Sequence, residues 1–183
     1  MIYNESLKGN LITLRNITLS DCNDTYLSWL NDKSVNMYLE NRFDTHTVDS
    51  ISRFVEEILA SESSYMFAII ANDTNKHIGN IKLGSIHPRY HHGDVGYLIG
   101  DKSYWGKGIA TEAIKLVVDF AFNKLNLRRV QAGVFEDNIA SEKALKKAGF
   151  ALEGRFRKQI SVSPPTTQWQ DHLYYGILKE DLF

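Results

Sequence analysis

Cysteine occurs once, at Cys22, so the chain can build neither an intramolecular disulfide nor a cysteine-based zinc site. Proline is scarce: there are three, two of them adjacent at Pro164 and Pro165, and no proline-rich linker. Charge of one sign is missing too. Lys+Arg number 21 and Asp+Glu 22, for a net charge of −1, so the basic footprint of a nucleic-acid binder is absent. No apolar run approaches the ~20 residues of a membrane span, and the opening MIYNESLKGN carries no apolar signal core. These absences lead to the expectation of a cytoplasmic protein without nucleic-acid or membrane partners. Aromatic residues are present in number: nine Tyr, nine Phe and three Trp supply bulk for a core in a chain of 183 residues. With no internal repeat or low-complexity stretch, one domain over residues 1–183 is expected.

Hydrophobic spacing sets the coarse organisation. Residues 11–17 alternate loosely and read as a strand, and Ser20 is placed to cap a helix running to Leu30. Thr47 is placed to cap a second helix, because Val48, Ile51, Val55, Ile58 and Leu59 recur at helical intervals. Residues 65–71 and 77–86 read as a hairpin about the turn Asn72-Asp73-Thr74-Asn75, and residues 94–99 as a further strand. A long amphipathic helix is expected over residues 110–125, with Ile114, Val117, Val118, Ala121, Phe122 and Leu125 as its apolar stripe. Then come a strand at 128–135, a helix at 139–148 capped by Gly149, and strands at 150–160 and 169–178 joined by a turn at 163–167. The total is about seven strands and about four helices in a mixed α/β (α+β), mostly antiparallel sheet. The strand–helix–strand unit over residues 94–135 requires a crossover, which makes its two strands a parallel, adjacent pair.

The stretch Asp94-Val-Gly-Tyr-Leu-Ile-Gly-Asp-Lys-Ser-Tyr-Trp-Gly-Lys-Gly-Ile-Ala110 is where chemistry concentrates. A strand delivers the chain to a loop containing Gly106 and Gly108, and a helix begins at once. Unpaired N–H groups at a helix start, approached over glycines, form a cradle for an anion such as a pyrophosphate. The spacing is neither that of a Walker loop nor that of a dinucleotide fingerprint.

The run Trp105-Gly106-Lys107-Gly108-Ile109-Ala110-Thr111-Glu112-Ala113 resembles the acyl-CoA pyrophosphate loop of the GNAT superfamily of N-acetyltransferases, with Trp105 where the family pattern has Gln or Arg. Asn138-x-x-Ser141 followed by Ala148-Gly149-Phe150 is similar to the family's second signature, and Asp171, Tyr174 and Leu178 to the closing pattern of one branch. That branch contains ribosomal-protein N-terminal, spermidine and amino-sugar acetyltransferases. The resemblance covers almost the whole chain. It implies an acyl-CoA N-acyltransferase fold whose central parallel pair splays apart, with acetyl-CoA as cosubstrate and no metal. By the same resemblance, pantetheine pairs with backbone near Leu98 and Ile99, and the pyrophosphate meets Gly106, Lys107, Gly108, Ile109, Ala110 and Thr111. Asn138 then bonds pantetheine, Ser141 lies near the sulfur, and Lys107 and Lys143 meet phosphate charge or remain solvated.

Amine acylation needs a proton acceptor and a donor for the departing thiolate. Asp94 is the candidate base, or else a structural carboxylate at a strand start. For the donor, the family tyrosine position holds Leu145. Ser141 is the first substitute, unless it serves as a helix cap, and Tyr97 and Tyr104 lie nearby. His87, His91 and His92 have no carboxylate set at ligand spacing, which argues against a metal, and Glu112 fits a first-turn structural role. The acceptor is a small-molecule amine or a peptide N-terminus. The resemblance favours a nucleotide-linked amino sugar, with Arg42, Arg53 or Arg89 on its diphosphate. A protein N-terminus is the rival substrate, a non-catalytic acyl-CoA-binding module the rival function, and a homodimer through the 163–167 hairpin is compatible with the branch.

Overall fold

The computed structural model describes residues 1–162 and 168–182. Among them an eight-stranded sheet forms from β1 (Leu7–Lys8), β2 (Ile12–Asn16), β3 (Tyr65–Ala71), β4 (His77–His87), β5 (His92–Ile99), β6 (Arg129–Phe135), β7 (Ala151–Ser161) and β8 (Trp169–Leu178). The spatial order is β1-β2-β3-β4-β5-β6-β8-β7. Every neighbouring pair is antiparallel except β5 and β6, as the crossover argument requires. The helices are α1 (Asp24–Asn31), α2 (Lys33–Asn36), α3 (Val48–Ala60), α4 (Ile109–Asn123) and α5 (Ile139–Lys147).

Two short elements exceed the sequence expectation: the two-residue β1 and the single turn α2 are too brief to leave a periodic signal. The start of α1 is a second correction. Ser20 does not cap it. Asp21 is drawn back onto Thr18 and Arg15, which closes a 3₁₀ turn over Leu19–Asp21, and α1 begins only after Asn23. There the Asn23 side-chain oxygen accepts from the Thr25 and Tyr26 N–H groups. Thr47 caps α3 as expected, its Oγ1 accepting from the Ser50 N–H. The 163–167 turn lies outside the described residues.

The sheet has a core on each face. On one, α4 lays Ile109, Ala113, Ile114, Val117, Val118, Phe120 and Ala121 against Ile12, Leu14, Phe67, Ile69, Ile81 and Val130. Each such large side chain stabilises the fold by about 1.5–3 kcal/mol when fully buried. On the other, Tyr26, Trp29, Leu30, Val35, Ile51 and Val55 from α1, α2 and α3 enclose Ile17 and Met66. Alternation along β5 therefore divides its side chains. Val95, Tyr97 and Ile99 turn to the α4 face, while Leu98 packs on the α1–α3 face, with Asp94 and Gly96 in phase with it.

Candidate active site

The parallel ladder between β5 and β6 is short. His92 pairs with Arg129, Gly93 with Val130 and Asp94 with Gln131, and among the described residues it ends there. From that point β6 stays with β8 through Phe135, and β5 stays with β4 through Ile99. The two central strands diverge and leave a V-shaped opening whose apex is at Asp94. Within it, Gly79 lets the Leu98 carbonyl come so close to β4 that a Cβ there would collide with it, so this carbonyl faces away from the opening. The Ile99 carbonyl accepts from the Trp105 indole Nε1 at 2.8 Å. The strand edge left free in the V is therefore the backbone of Val95 and Tyr97, with the Ile99 N–H, rather than the Leu98 carbonyl.

Beyond Ile99 the chain passes through a loop that Trp105 ties back to the end of β5, and α4 starts at once. Gly106 and Gly108 have φ of +74° and +84°, in the left-handed region where a Cβ is disfavoured. A Cβ on Gly106 would meet nothing within 4 Å. The first intrahelical bond runs from the Glu112 N–H to the Gly108 carbonyl at 3.0 Å. The N–H groups of Ile109, Ala110 and Thr111 precede it, and Gly108 offers no side chain to cap them. Lys107 is exposed, its Nζ 5.2 Å from the Tyr104 ring centroid. The surface is open, cationic at its rim and lined with unpaired donors, a fit for a pyrophosphate. Glu112 turns away from it, its oxygens accepting from the Asn10 and Leu11 N–H groups at 2.6 and 2.9 Å, as its structural assignment anticipates.

The start of α5 forms the other wall. Asn138 caps it, Oδ1 accepting from the Ser141 N–H at 3.1 Å, which leaves the Asn138 amide Nδ2 for a ligand. Ser141 is thus not the cap. Its hydroxyl lies 2.6 Å from the Tyr97 hydroxyl, a bond from β5 to α5 on the α4 face of the V. Burial pushes the Tyr97 phenol up to about 12, against the opposing pull of Ser141, so Tyr97 keeps its proton at neutral pH. Leu145 is wholly enclosed in the core and carries no polar atom to the opening. Lys143 is exposed on α5. Tyr104 is occupied elsewhere, bonded to Asp73 and Thr74.

The opposite face of the V is polar. Asp94 points there, with Oδ1 shielded from solvent and without a hydrogen-bond partner, and His92 Nδ1 is in the same state. His87, Tyr90 and His92 stack, the first two with centroids 4.4 Å apart. Arg129 makes a two-pronged ion pair with Glu153, which holds its guanidinium charge firmly, with Asp94 adding to the effect. Arg42, one of the three arginines proposed for a diphosphate, is committed. It donates to the Leu39 and Ser161 carbonyls at 2.9 and 2.6 Å and lies over the Phe43 and Phe135 rings. His172, on β8, sets its Nε2–Cε1 edge against Gly133 of β6 and contacts Phe135 and Tyr174. Sequence reasoning passed it over because a single histidine in a strand has no spacing to mark it. The available signal was its phase, an imidazole paired across the sheet with Phe135, two residues past the glycine that it covers.

The structure thus brings Asp94, Tyr97, Ile99, Asn138, Ser141 and residues 106–111 around one opening. Comparison with known proteins bears on the family and the fold. The family model described as acetyltransferase (GNAT) domain matches residues 12–151. A Bacillus subtilis (strain 168) protein named as a probable N-acetyltransferase, YjcK, is 34% identical, covering 96% of this chain and 98% of its own. Among solved structures, a spermidine N-acetyltransferase from Vibrio cholerae in complex with CoA and spermine superposes with TM-score 0.82 at 20% identity, over 94% of this chain and 98% of that one. The ribosomal L7/L12 α-N-protein acetyltransferase RimL in complex with coenzyme A gives 0.83 at 18%, over 95% and 98%. At those identities the structures share the fold.

Proposed function

The chain belongs to the acetyltransferase (GNAT) family as an acetyl-CoA-dependent N-acetyltransferase, and on that premise we propose that its acceptor is a primary amine delivered to the Asp94 face of the sheet. The observation that carries this reading is the V between β5 and β6, with the uncapped start of α4 following β5 through a loop tied back to Ile99 by Trp105. Bound there, acetyl-CoA supplies a thioester activated toward amines. The N–H groups of Ile109, Ala110 and Thr111, with Gly106 and Gly108 leaving room, hold its pyrophosphate, and Lys107 and Lys143 add charge at the rim. The Val95–Tyr97 backbone edge and the Asn138 amide hold the pantetheine arm. Backbone N–H groups on the same edge of β5 are fixed donors toward an oxygen that gains negative charge.

The two faces divide the proton work. Asp94 draws the ammonium form of the acceptor toward the apex and serves as base, directly or through one water. Ser141 holds a proton at Oγ for the leaving sulfur, on the α5 side. As acceptor we place a nucleotide-linked amino sugar first, with Arg89 beside the His87–His92 turn as its anion partner, since Arg42 is engaged in the fold.

The test is CoA thiol release from acetyl-CoA against UDP- and dTDP-linked amino sugars, N-terminal peptides, spermidine and aminoglycosides, with a thermal-shift control. Saturation at 100 times the dissociation constant adds about 2.7 kcal/mol, a shift of several degrees. Release with one amine class, lost in Asp94→Asn while the acetyl-CoA shift persists, is the expected result. No thermal shift with acetyl-CoA refutes the cradle at residues 106–111, and binding without release from any amine refutes the enzymatic assignment in favour of a binding module.

A further inference from the structure

We propose that His172 is a second base of this site, its Nε2 accepting the proton that the acceptor amine loses; this rests on the acetyl-transfer reading above. One observation places it there and two more fit the role. The first is position. His172 pairs with Phe135, and its ring reaches back over Gly133, the β6 residue two beyond the Gln131–Asp94 pairing where the V opens. A Cβ on Gly133 would sit 2.5 Å from Nε2 and 2.8 Å from Cε1, so the imidazole edge rests on bare backbone at the rim of the opening. One two-residue strand repeat, ~6.6 Å, separates Gly133 from Gln131 along β6, and the registers put His172 on the same face as Asp94, further along the opening.

The second is the tautomer. His172 Nδ1 lies 3.1 Å from the Gln159 side-chain oxygen, which also accepts from the Tyr174 hydroxyl at 3.5 Å. An amide oxygen only accepts, so Nδ1 carries the hydrogen and Nε2 keeps its lone pair, aimed over Gly133. The third is charge state. Burial lowers the His172 pKa below its ordinary 6.5, with Glu40 pulling partly the other way, so the ring is neutral near pH 7. Other groups around it are Tyr174 on its own strand, Phe135 with Arg42 stacked on it, and Phe156 against Tyr174. The Arg155, Glu136 and Asp171 ion group belongs to the adjacent register positions, in phase with Leu173.

The step balances simply. The ammonium N–H bond breaks, its electron pair stays on nitrogen as the nucleophile, and the proton joins the Nε2 lone pair. The imidazolium then returns it to solvent. Imidazole ordinarily titrates about two to three pH units closer to neutrality than a carboxylate, so it is the better matched acceptor at pH 7. Asp94 contributes by attracting the cation.

The experiment is the pH dependence of kcat, at saturating acetyl-CoA and the fastest acceptor of the panel above, for wild type, His172→Gln, Asp94→Asn and Gly133→Ala. The wild type is expected to lose rate in an acid limb that lies below the ordinary histidine value of about 6.5. His172→Gln is expected to lower kcat about 100-fold and abolish that limb, with KM for acetyl-CoA and the melting temperature retained. Gly133→Ala keeps the imidazole but pushes Nε2 aside, and is expected to lower kcat at least 10-fold. This variant keeps the inference testable if His172→Gln fails to fold. Asp94→Asn, whose release falls below detection in the panel assay, is expected to retain the acetyl-CoA thermal shift and serves as the inactive control. Near-wild-type kcat in Gly133→Ala and His172→Gln, or an acid limb that survives in His172→Gln, overturns the role of His172 and leaves the acetyltransferase assignment standing. No release by the wild type from any acceptor overturns the underlying reading, and the inference with it.

Discussion

Replacing Glu112 by alanine separates the architecture of the α4 start from its chemistry. The carboxylate accepts two backbone N–H bonds, from Asn10 at 2.6 Å and Leu11 at 2.9 Å, and so ties the β1–β2 turn to α4 across a hundred residues of sequence. Gly9 fits beneath it, where a Cβ would sit 2.7 Å from Oε1. Hydrogen bonds to a charged group contribute about 1.5–3 kcal/mol each when buried, and solvent at this exposed turn reduces that to about 1 kcal/mol each. The first-turn charge adds about 0.3–1 kcal/mol through the helix dipole, and alanine's better helix propensity returns a few tenths. The net loss is about 2–3 kcal/mol. For a domain of this size, each kcal/mol corresponds to about 2–4 °C, so the melting temperature should fall by about 5–10 °C. Glu112→Gln, which keeps one acceptor oxygen for one of the two N–H groups, should lose about half as much. Thermal melts with and without acetyl-CoA make the comparison. Because the Glu112 side chain turns away from the Ile109–Thr111 donors, the acetyl-CoA-induced shift should survive in both variants. A Glu112→Ala melt within 1 °C of wild type would refute the clamp, and a lost ligand shift would refute its separation from the binding surface.

Other substitutions test the remaining assignments. Leu145→Tyr, which restores the family tyrosine, should add no rate, because the side chain is enclosed in the core; overpacking should destabilise by about 1–3 kcal/mol, read as a lower urea midpoint. Ser141→Ala should lower kcat about 100-fold and Tyr97→Phe about 10-fold, while the double variant should be no slower than Ser141→Ala alone; additive losses would show that the two hydroxyls do not act as a pair. Burial of Asp21 would by itself raise its pKa, but Arg15 and Thr18 outweigh it and hold the carboxyl below the ordinary value. A depressed carboxylate contributes stability that is present above the unfolded pKa near 4 and is lost as pH falls through the folded one. Asp21→Asn should therefore flatten the loss of melting temperature below about pH 4, and an acid limb unchanged from wild type would refute this linkage.

Long periodic elements were legible because their burial is one-sided. The α4 stripe over Ile114, Val117, Val118, Ala121 and Phe122 is the face that meets the sheet; residues 65–71, an unbroken apolar run buried on both faces, and residues 169–178 are strands with the bounds read from the sequence. Elements shorter than one period left no such trace. In β1, two residues pair with Leu14 and Thr13, and in α2 a single turn is set by Asp32 accepting from the Ser34 N–H. The Ser20 cap failed for a different reason. A local rule was overridden by a tertiary ion pair, since Arg15 and Thr18 claim Asp21 and delay the helix to Asn23.

The site divides along the same line. The glycine loop is contiguous in sequence, so its helix-start chemistry could be read before any coordinates; Asn138-x-x-Ser141 was marked by family resemblance, and that Asn138 rather than Ser141 caps α5 emerged only from the fold. Tyr97 meeting Ser141 joins residues 44 positions apart, and the pair exists only because β5 leaves β6 just after Asp94 and turns Tyr97 toward α5. His172 is further removed still: its orientation depends on Gln159 of β7, on the missing Cβ of Gly133 in β6 and on its own place in β8. Each of these three strands supplies one constraint, and none has meaning without the register of the other two. The part of the site proposed to bind through helix starts was therefore nameable from contiguous sequence, while the part proposed to move protons depends on the sheet having closed on one side of the V and not on the other.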